Sequence, residues 1–407
     1  MTPQVARAKI DAMRVLHVVT AFPRTESDVI TPWLVQTIRL LRTRGVDAEV
    51  FTSSYRGLGH QNLFGIPIHR FRYFPRRWED FTHDETAPDR MRKGLRYKLE
   101  ALAYILCGQG AIERLCRREK FDIVHVHWPF PHALFGAAAR RAGKCRVICS
   151  FYGVELRWVK SRLPIFKPFV RWAIRSADAV TAISNHTAGE MRELAPREVT
   201  VIPYGAALPE TTAVPRPLTP GLQSMTVLFV GRLVERKGLK YLIEAMKLVR
   251  EKTDARLVIV GGGGERAGLE SLVKELGLQN AVTFTGFVSS EEKEQYLQGC
   301  SAFVLPAVRD AKGDVEGLGT VLLEAMMHHK PVIASASGGI TDIVKHEQTG
   351  LLVKECDVPG LADAIARLLA DPDLSRRLAE QGYQHAVQAF GWDSIIDRTM
   401  KLYAEVA

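Results

Sequence analysis

Twice along the chain, short apolar runs rich in β-branched residues alternate with longer stretches of helical periodicity, and this pattern leaves a polypeptide few choices of fold. Runs such as MRVLHVVTAF, DAEVFTS, FDIVHVHW and RVICSFYG are short and predominantly apolar, so a sheet built from them needs cover. Parallel strands joined by crossover helices provide that cover. TPWLVQTIRLLRTRG reads as the first helix, ending at Gly45, and AVTAIS and VTVIPYG close the first half. The second half restarts at MTVLFVG and continues through ARLVIVG, AVTFTG, AFVLP and PVIAS, with KGLKYLIEAMKLVREK, ERAGLESLVKELG and EEKEQYLQGC as helices between them. Between the halves lie Pro209, Pro215, Pro217 and Pro220, a stiff connection that cannot join a sheet. The expectation is an α/β protein with a domain at 1–205, a linker at 206–222, a second domain at 223–390 and a closing helix at 391–407. In such open sheets the ligand sits beyond the carboxyl ends of the strands, here in a cleft between the domains.

Composition narrows the class. At 407 residues with 46% hydrophobic and 25% charged residues, the chain exceeds one ordinary core and is too apolar for disorder. No apolar stretch approaches the roughly 18 residues that cross a bilayer. The six cysteines are scattered, without a Cys-x-x-Cys pair, and read as small buried hydrophobes of a reducing compartment. MTPQVARAKIDAM lacks the apolar centre of a signal peptide, so the expected location is cytoplasmic. The net charge of +10 is unevenly placed: residues 1–210 hold 33 Lys/Arg against 20 Asp/Glu, and the remainder 22 against 25. Such asymmetry suits an anionic partner of the first half, either phospholipid or nucleic acid, or a well-solvated basic face.

Two segments of the second half carry candidate chemistry. GRLVERKG places Arg232 at a strand end and Lys237 beside a helix start, two cations suited to a diphosphate. EGLGTVLLEAMM sets Glu316 and Glu324 eight apart, the second inside an apolar helix where a buried carboxylate demands a polar partner. Sugar or ribose hydroxyls meet that demand, as does an ion pair with a distant Arg or Lys. A glycosidase dyad is a poorer fit, since both carboxylates come from one short segment. In the first half, His125 and His127 share a strand face, with His127 nearer the carboxyl end; no third ligand at metal-binding spacing accompanies them. The glycines 261–264 mimic a dinucleotide loop, but the following strand ends without the carboxylate that grips a ribose. Asp371-Pro-Asp373 reads as a turn and helix cap.

Residues 156–175 interleave Arg157, Lys160, Arg162, Lys167, Arg171 and Arg175 with Trp158, Phe166, Phe169 and Trp172 and contain no acidic side chain after Glu155. Cations beside interfacial aromatics suit an anionic membrane surface. A second basic cluster comprises Arg70, Arg72, Arg76, Arg77, Arg90, Arg92, Lys93, Arg96 and Lys98. No nucleic-acid module pattern is present, and nucleic acid is not an expected partner.

Taken in order, VIPYG, GRLVERKG, VGGGGERAGLESL, VTFTGFV, FVLPA, EGLGTVLLEAMMHHKPVIAS, GGITDIV, TGLLV and GWDSIIDRTMKLY resemble glycosyltransferase family 4 over nearly the whole chain from Met13. The long loop PAVRDAKGDVEGLG is similar to that of the branch holding phosphatidylinositol mannosyltransferases and exopolysaccharide or lipopolysaccharide transferases. The resemblance implies a GT-B fold: two Rossmann-like domains facing a cleft, the last helix returning to the first domain. It implies retaining transfer of a hexose from a UDP- or GDP-sugar to a lipid-linked or saccharide acceptor, with no metal and no further cofactor, by a peripheral protein on the inner membrane face. On the same basis Arg232 and Lys237 hold the donor diphosphate, Glu316 the donor sugar and Glu324 the ribose. Leu318, Gly319, Thr320 and Val321 offer backbone amides, Val288 reads the base, and His127 contacts the sugar near the reacting carbon. Three positions depart from the family: FPRTESDVI lacks a Gly-Gly, and Tyr152 and Tyr204 stand where histidine and asparagine are usual. The alternatives are a UDP-sugar 2-epimerase of the same fold or a basic binding protein without activity.

Overall fold

The computed structural model describes residues 13–28, 30–206 and 225–407, and the chain divides into two compact units. The first comprises residues up to Ile183, Thr187–Ile202 and Ile395–Ala407; the second comprises Ser184–His186 and Pro203–Ser394. The proline-rich stretch expected as a linker lies outside the described residues apart from Ala206.

The first unit is built on eight strands: β1 (Arg14–Val18), β2 (Asp47–Ser53), β3 (Gln61–Leu63), β4 (Ile66–Phe71), β5 (Ile123–His127), β6 (Arg146–Phe151), β7 (Ala179–Ala182) and β8 (Thr200–Val201). Their order is β3-β4-β2-β1-β5-β6-β7-β8. Every pairing is parallel except β3 with β4, a hairpin closed by Phe64 and Gly65 at φ 56° and 74°. Both values suit a two-residue turn of the kind that follows strand twist. The sequence reading passes over this hairpin, because Gly65 and Pro67 interrupt the apolar run. Chain order reverses between β1 and β5, so their carboxyl ends form a switch point.

Strand alternation gives the sheet two buried faces. Leu16, Val18, Val124 and Val126 pack under the helices Leu95–Arg118 and Pro129–Gly143. Val15 and Ile123 pack against Leu34 and Ile38 of the helix Pro32–Thr43, together with Ile396, Leu402 and Tyr403 of the closing helix Trp392–Val406. The last helix thus completes the first unit's core.

The second unit holds six parallel strands, β9 (Thr226–Val230), β10 (Arg256–Val260), β11 (Val282–Gly286), β12 (Ala302–Leu305), β13 (Val332–Ser335) and β14 (Leu351–Val353), in the order β11-β10-β9-β12-β13-β14. Its switch point lies between β9 and β12. Asp371 caps the helix Pro372–Phe390 by accepting from the amides of Asp373 and Leu374, which accounts for the Asp-Pro-Asp motif. Among the described residues no helix is long and apolar enough to cross a membrane. Of the cysteines, four are buried as expected, whereas Cys107 and Cys356 are exposed.

Candidate active site

Both candidate segments of the second unit emerge at its switch point: GRLVERKG follows β9 and EGLGT follows β12. The glycines around them are dictated by backbone proximity. Gly238 sits at φ 66° with the position of a Cβ only 1.8 Å from the Pro306 carbonyl oxygen. A side chain at Gly261 would meet the Gly231 oxygen at 2.0 Å, and one at Gly263 the Leu233 oxygen at 2.3 Å. The glycine run therefore clamps the Arg232 loop, with Leu233 N–H donating to the Gly262 carbonyl, and is not a dinucleotide cradle. Gly238→Ala is expected to destabilise the protein by about 3 kcal/mol or more, since both φ and space forbid it; a thermal melt matching wild type would contradict this packing.

The clamped loop delivers three cations of different character. Arg232 is exposed, with no ion pair among the described residues. Lys237 is buried, and its Nζ lies 2.7 Å from Glu316 Oε2. Arg236 Nη1 donates to the same oxygen, also at 2.7 Å. Burial pushes the Glu316 carboxyl up, but Lys237 and Arg236 outweigh it and hold the group below the usual range. The GRLVERKG motif singles out Lys237 but carries no sign that Arg236 turns inward beside it or that both cations meet Glu316. Because Lys237 stays on the same oxygen, Arg236→Ala is expected to cost only about tenfold in kcat/KM, and a loss matching that of Lys237→Ala would refute this ranking.

Glu324 requires a correction. It is half-buried, not enclosed, and its Oε2 accepts from Lys293 Nζ at 2.7 Å. The apolar neighbours Leu322, Leu323, Ala325 and Met326 turn to the core, leaving Glu324 at the edge of the helix Thr320–Met327. Gly319, at φ 88°, precedes that helix and accepts from the Leu322 amide; the preceding amides of Thr320 and Val321 suit an anion. Leu318 and Gly319 are buried, Thr320 exposed and Val321 half-buried. Val288 is half-buried just before Ser289, which caps the next helix.

In the first unit, register sets His17 of β1 beside His125 of β5, and their shared face brings His127 into the same cluster. His17 Nδ1 and His127 Nε2 are 3.0 Å apart, and His127 Nδ1 lies 2.6 Å from the Tyr152 hydroxyl. His125 bonds Tyr403 of the closing helix at 2.7 Å and Ser150 at 2.6 Å. All three rings are buried, and burial lowers their basicity, that of His125 to about 3. The third histidine, which spacing did not reveal, thus exists. Yet every ring nitrogen of the trio except His17 Nε2 is already engaged in a hydrogen bond, so the arrangement is that of a neutral hydrogen-bonded core which fixes the orientation of His127.

Beside this cluster the first unit contains a cavity of about 1120 Å³ that reaches the ends of β1 and β5 at Thr20 and Trp128. Glu155, absent from the sequence-derived site, lines it. Its carboxylate accepts from the Tyr152 amide, and burial raises it to about 7. Only part of the basic cluster is internal: buried Arg70 donates to the carbonyls of Ser53 and Pro23 and buried Arg90 pairs with Asp80, whereas Arg72, Arg76, Arg77, Arg92, Lys93 and Lys98 are exposed. Arg72, Lys93 and Arg96 pair with Glu79, Glu85 and Glu100. Of the aromatic segment, Lys160, Lys167, Arg171 and Trp172 are exposed; the Arg162 side chain lies outside the described residues.

Comparison with known proteins agrees with this geometry. Residues 33–208 match the family description "Glycosyltransferase Family 4" and residues 215–385 match "Glycosyl transferases group 1". A GDP-mannose-dependent alpha-(1-6)-phosphatidylinositol monomannoside mannosyltransferase of Mycobacterium tuberculosis is 34% identical over 70% of this chain and 76% of that protein. The chain belongs to glycosyltransferase family 4. It is a glycosyltransferase that uses nucleotide-sugar donors. A putative colanic acid biosynthesis glycosyltransferase, WcaL of Escherichia coli, is 31% identical over 67% of this chain and 66% of its own length. Among solved structures, Anabaena HepE in complex with UDP and glucose aligns with a TM-score of 0.68 and 19% identity, covering 97% of this chain and all of that one. Sucrose-phosphate synthase of Thermosynechococcus elongatus aligns at 0.73 and 23% identity, covering 97% of this chain and 98% of that one. The fold of this family 4 transferase is accordingly GT-B, two parallel-sheet α/β domains.

Proposed function

We propose that this transferase moves a hexose, with retention of anomeric configuration and without a metal ion, from a UDP- or GDP-sugar to a lipid-linked or saccharide acceptor. The observation that carries this reading is the grouping of Arg232, Arg236, Lys237 and Glu316 with the first turn of the helix Thr320–Met327 at one switch point. A departing diphosphate needs fixed positive charge and amide donors, and these residues supply both. Glu316 accepts from a hydroxyl of the donor sugar, Glu324 from the ribose and the Val288 backbone from the base. His127 is assigned to the donor sugar by the family resemblance, held by His17 and Tyr152. The relative named for GDP-mannose and phosphatidylinositol monomannoside supports a lipid-linked acceptor. The exposed Lys160, Lys167, Arg171 and Trp172 support peripheral contact with an anionic membrane.

The test is a nucleoside diphosphate release screen over UDP- and GDP-sugars, with and without glycolipid and polyprenyl phosphate acceptors, repeated in EDTA. Acceptor-dependent release that survives EDTA, with an NMR-assigned product of unchanged anomeric configuration, is expected. An inverted product or a strict metal requirement would overturn the mechanism, and an epimeric nucleotide sugar formed without acceptor would favour isomerisation.

A further inference from the structure

The helix Leu95–Arg118 has two apolar sides, and among the described residues its own unit covers only one. Tyr104, Gly108, Ile112 and Leu115 face the core. Leu95, Leu99, Leu102 and Leu106, spaced by four, three and four residues, form a second stripe that is 71%, 52%, 56% and 59% exposed. Nearby in the fold, Ile165 is 80% exposed and Phe166 42%. Single exposed apolar residues are ordinary, but a ladder of leucines beside a further apolar tip marks a contact surface.

The cavity of about 1120 Å³ opens between these two elements, since Leu95 and Phe166 both line it. Its volume exceeds the range of roughly 300–1,000 Å³ usual for small-molecule sites. Met91, Ala101, Ile105, Leu134 and Phe169 make its wall apolar, whereas Thr20, Thr31, Thr82 and Glu155 make its polar part. The buried Thr31 hydroxyl there has no hydrogen-bond partner. Exposed Arg92 and Lys98 also line the cavity, so positive charge stands beside the apolar stripe. A phosphate-bearing amphiphile matches this order of leucines, cations, apolar wall and polar end.

We propose that the cavity takes the hydrocarbon chain of a membrane phospholipid or glycolipid that serves as acceptor, while the leucine stripe rests in the bilayer from which that lipid is drawn. The proposal rests on the transfer reading above and narrows its acceptor to a lipid with a buried tail. Neither feature takes part in donor binding, so the two readings fail separately.

Trp128 and Trp158 line the cavity, and bromododecanoate is therefore a direct probe through quenching of tryptophan fluorescence. We expect saturable quenching in the full-length protein, weakened about tenfold or more by Ala101→Phe or Ile105→Phe, each of which fills the cavity. Two fillers are used so that a misfolded variant, recognised by its melt, does not decide the matter. The double variant Leu99→Gln, Leu102→Gln is expected to keep the quenching yet co-sediment about tenfold less with phosphatidylcholine–phosphatidylglycerol vesicles. Absent quenching, quenching untouched by both folded fillers, or unchanged sedimentation of the leucine variant would overturn the proposal. So would a wild-type dimer that the leucine variant dissolves, since the stripe would then join two copies of this chain. Turnover on soluble acceptors without quenching would sink the lipid cavity alone; saturable quenching without turnover on any donor would sink the transfer reading alone.

Discussion

Lys237→Ala is expected to lower kcat about a hundredfold or more while leaving the fold intact. The ammonium is buried and bonded to Glu316 Oε2 at 2.7 Å, so it is held before any diphosphate arrives and needs no reorganisation as charge develops. Preorganised donors of this kind contribute about 3 kcal/mol each, roughly two powers of ten in rate. Arg236 still bonds Glu316 in the variant, which spares the carboxylate from burial without a partner. Steady-state kinetics with a saturating donor decide the point. Wild-type kcat in a correctly folded variant would remove Lys237 from the chemistry.

The second large effect is on stability in mild acid. Burial holds His125 at about 3 and His132 at about 4, and holds His17 and His127 well below the usual imidazole range. These rings stay neutral in the folded state, whereas the unfolded chain protonates near 6.5. Their contribution is therefore complete above about pH 6.5 and is lost as pH falls toward the folded values. From pH 6.5 to 4.5, two units for each of His125 and His132 amount to ~5 kcal/mol, comparable with the whole stability of many domains. His17 and His127 act in the same direction. Glu155, raised to about 7, acts oppositely, since its folded form binds a proton first, and it returns ~3 kcal/mol over nearly the same interval. Urea unfolding at about pH 7.5 and pH 4.5 should show a markedly lower midpoint in acid, and Glu155→Gln should steepen the loss. An unchanged midpoint would mean that the histidine cluster is hydrated.

The α/β alternation is legible in the residues because strands buried on both faces leave no polar period and are separated by unmistakable helices. The hairpin of β3 and β4 is hidden by Gly65 in its turn and Pro67 near the start of β4. In the candidate site, loops that follow strand ends announce themselves, and so Arg232, Lys237 and Glu316 are found. Arg236 is not, because no periodicity tells which of two adjacent cations turns inward. His17 escapes notice because its neighbours His125 and His127 lie more than a hundred positions away, joined to it only by the order of strands in the sheet. Glu324 is misplaced because an apolar helix suggests burial all round, whereas this one leaves an edge open to solvent. The basic cluster misleads for a related reason: composition counts Arg70 and Arg90 as surface charge, whereas both are interior struts.

The helix Trp392–Val406 supplies Ile396, Leu402 and Tyr403 to the first unit, with Tyr403 bonded to His125. The part of that face which the helix Pro32–Thr43 does not cover therefore stays open on the ribosome until the whole second unit has been synthesised. The later-made unit can finish folding first, and the earlier-made one waits for its keystone.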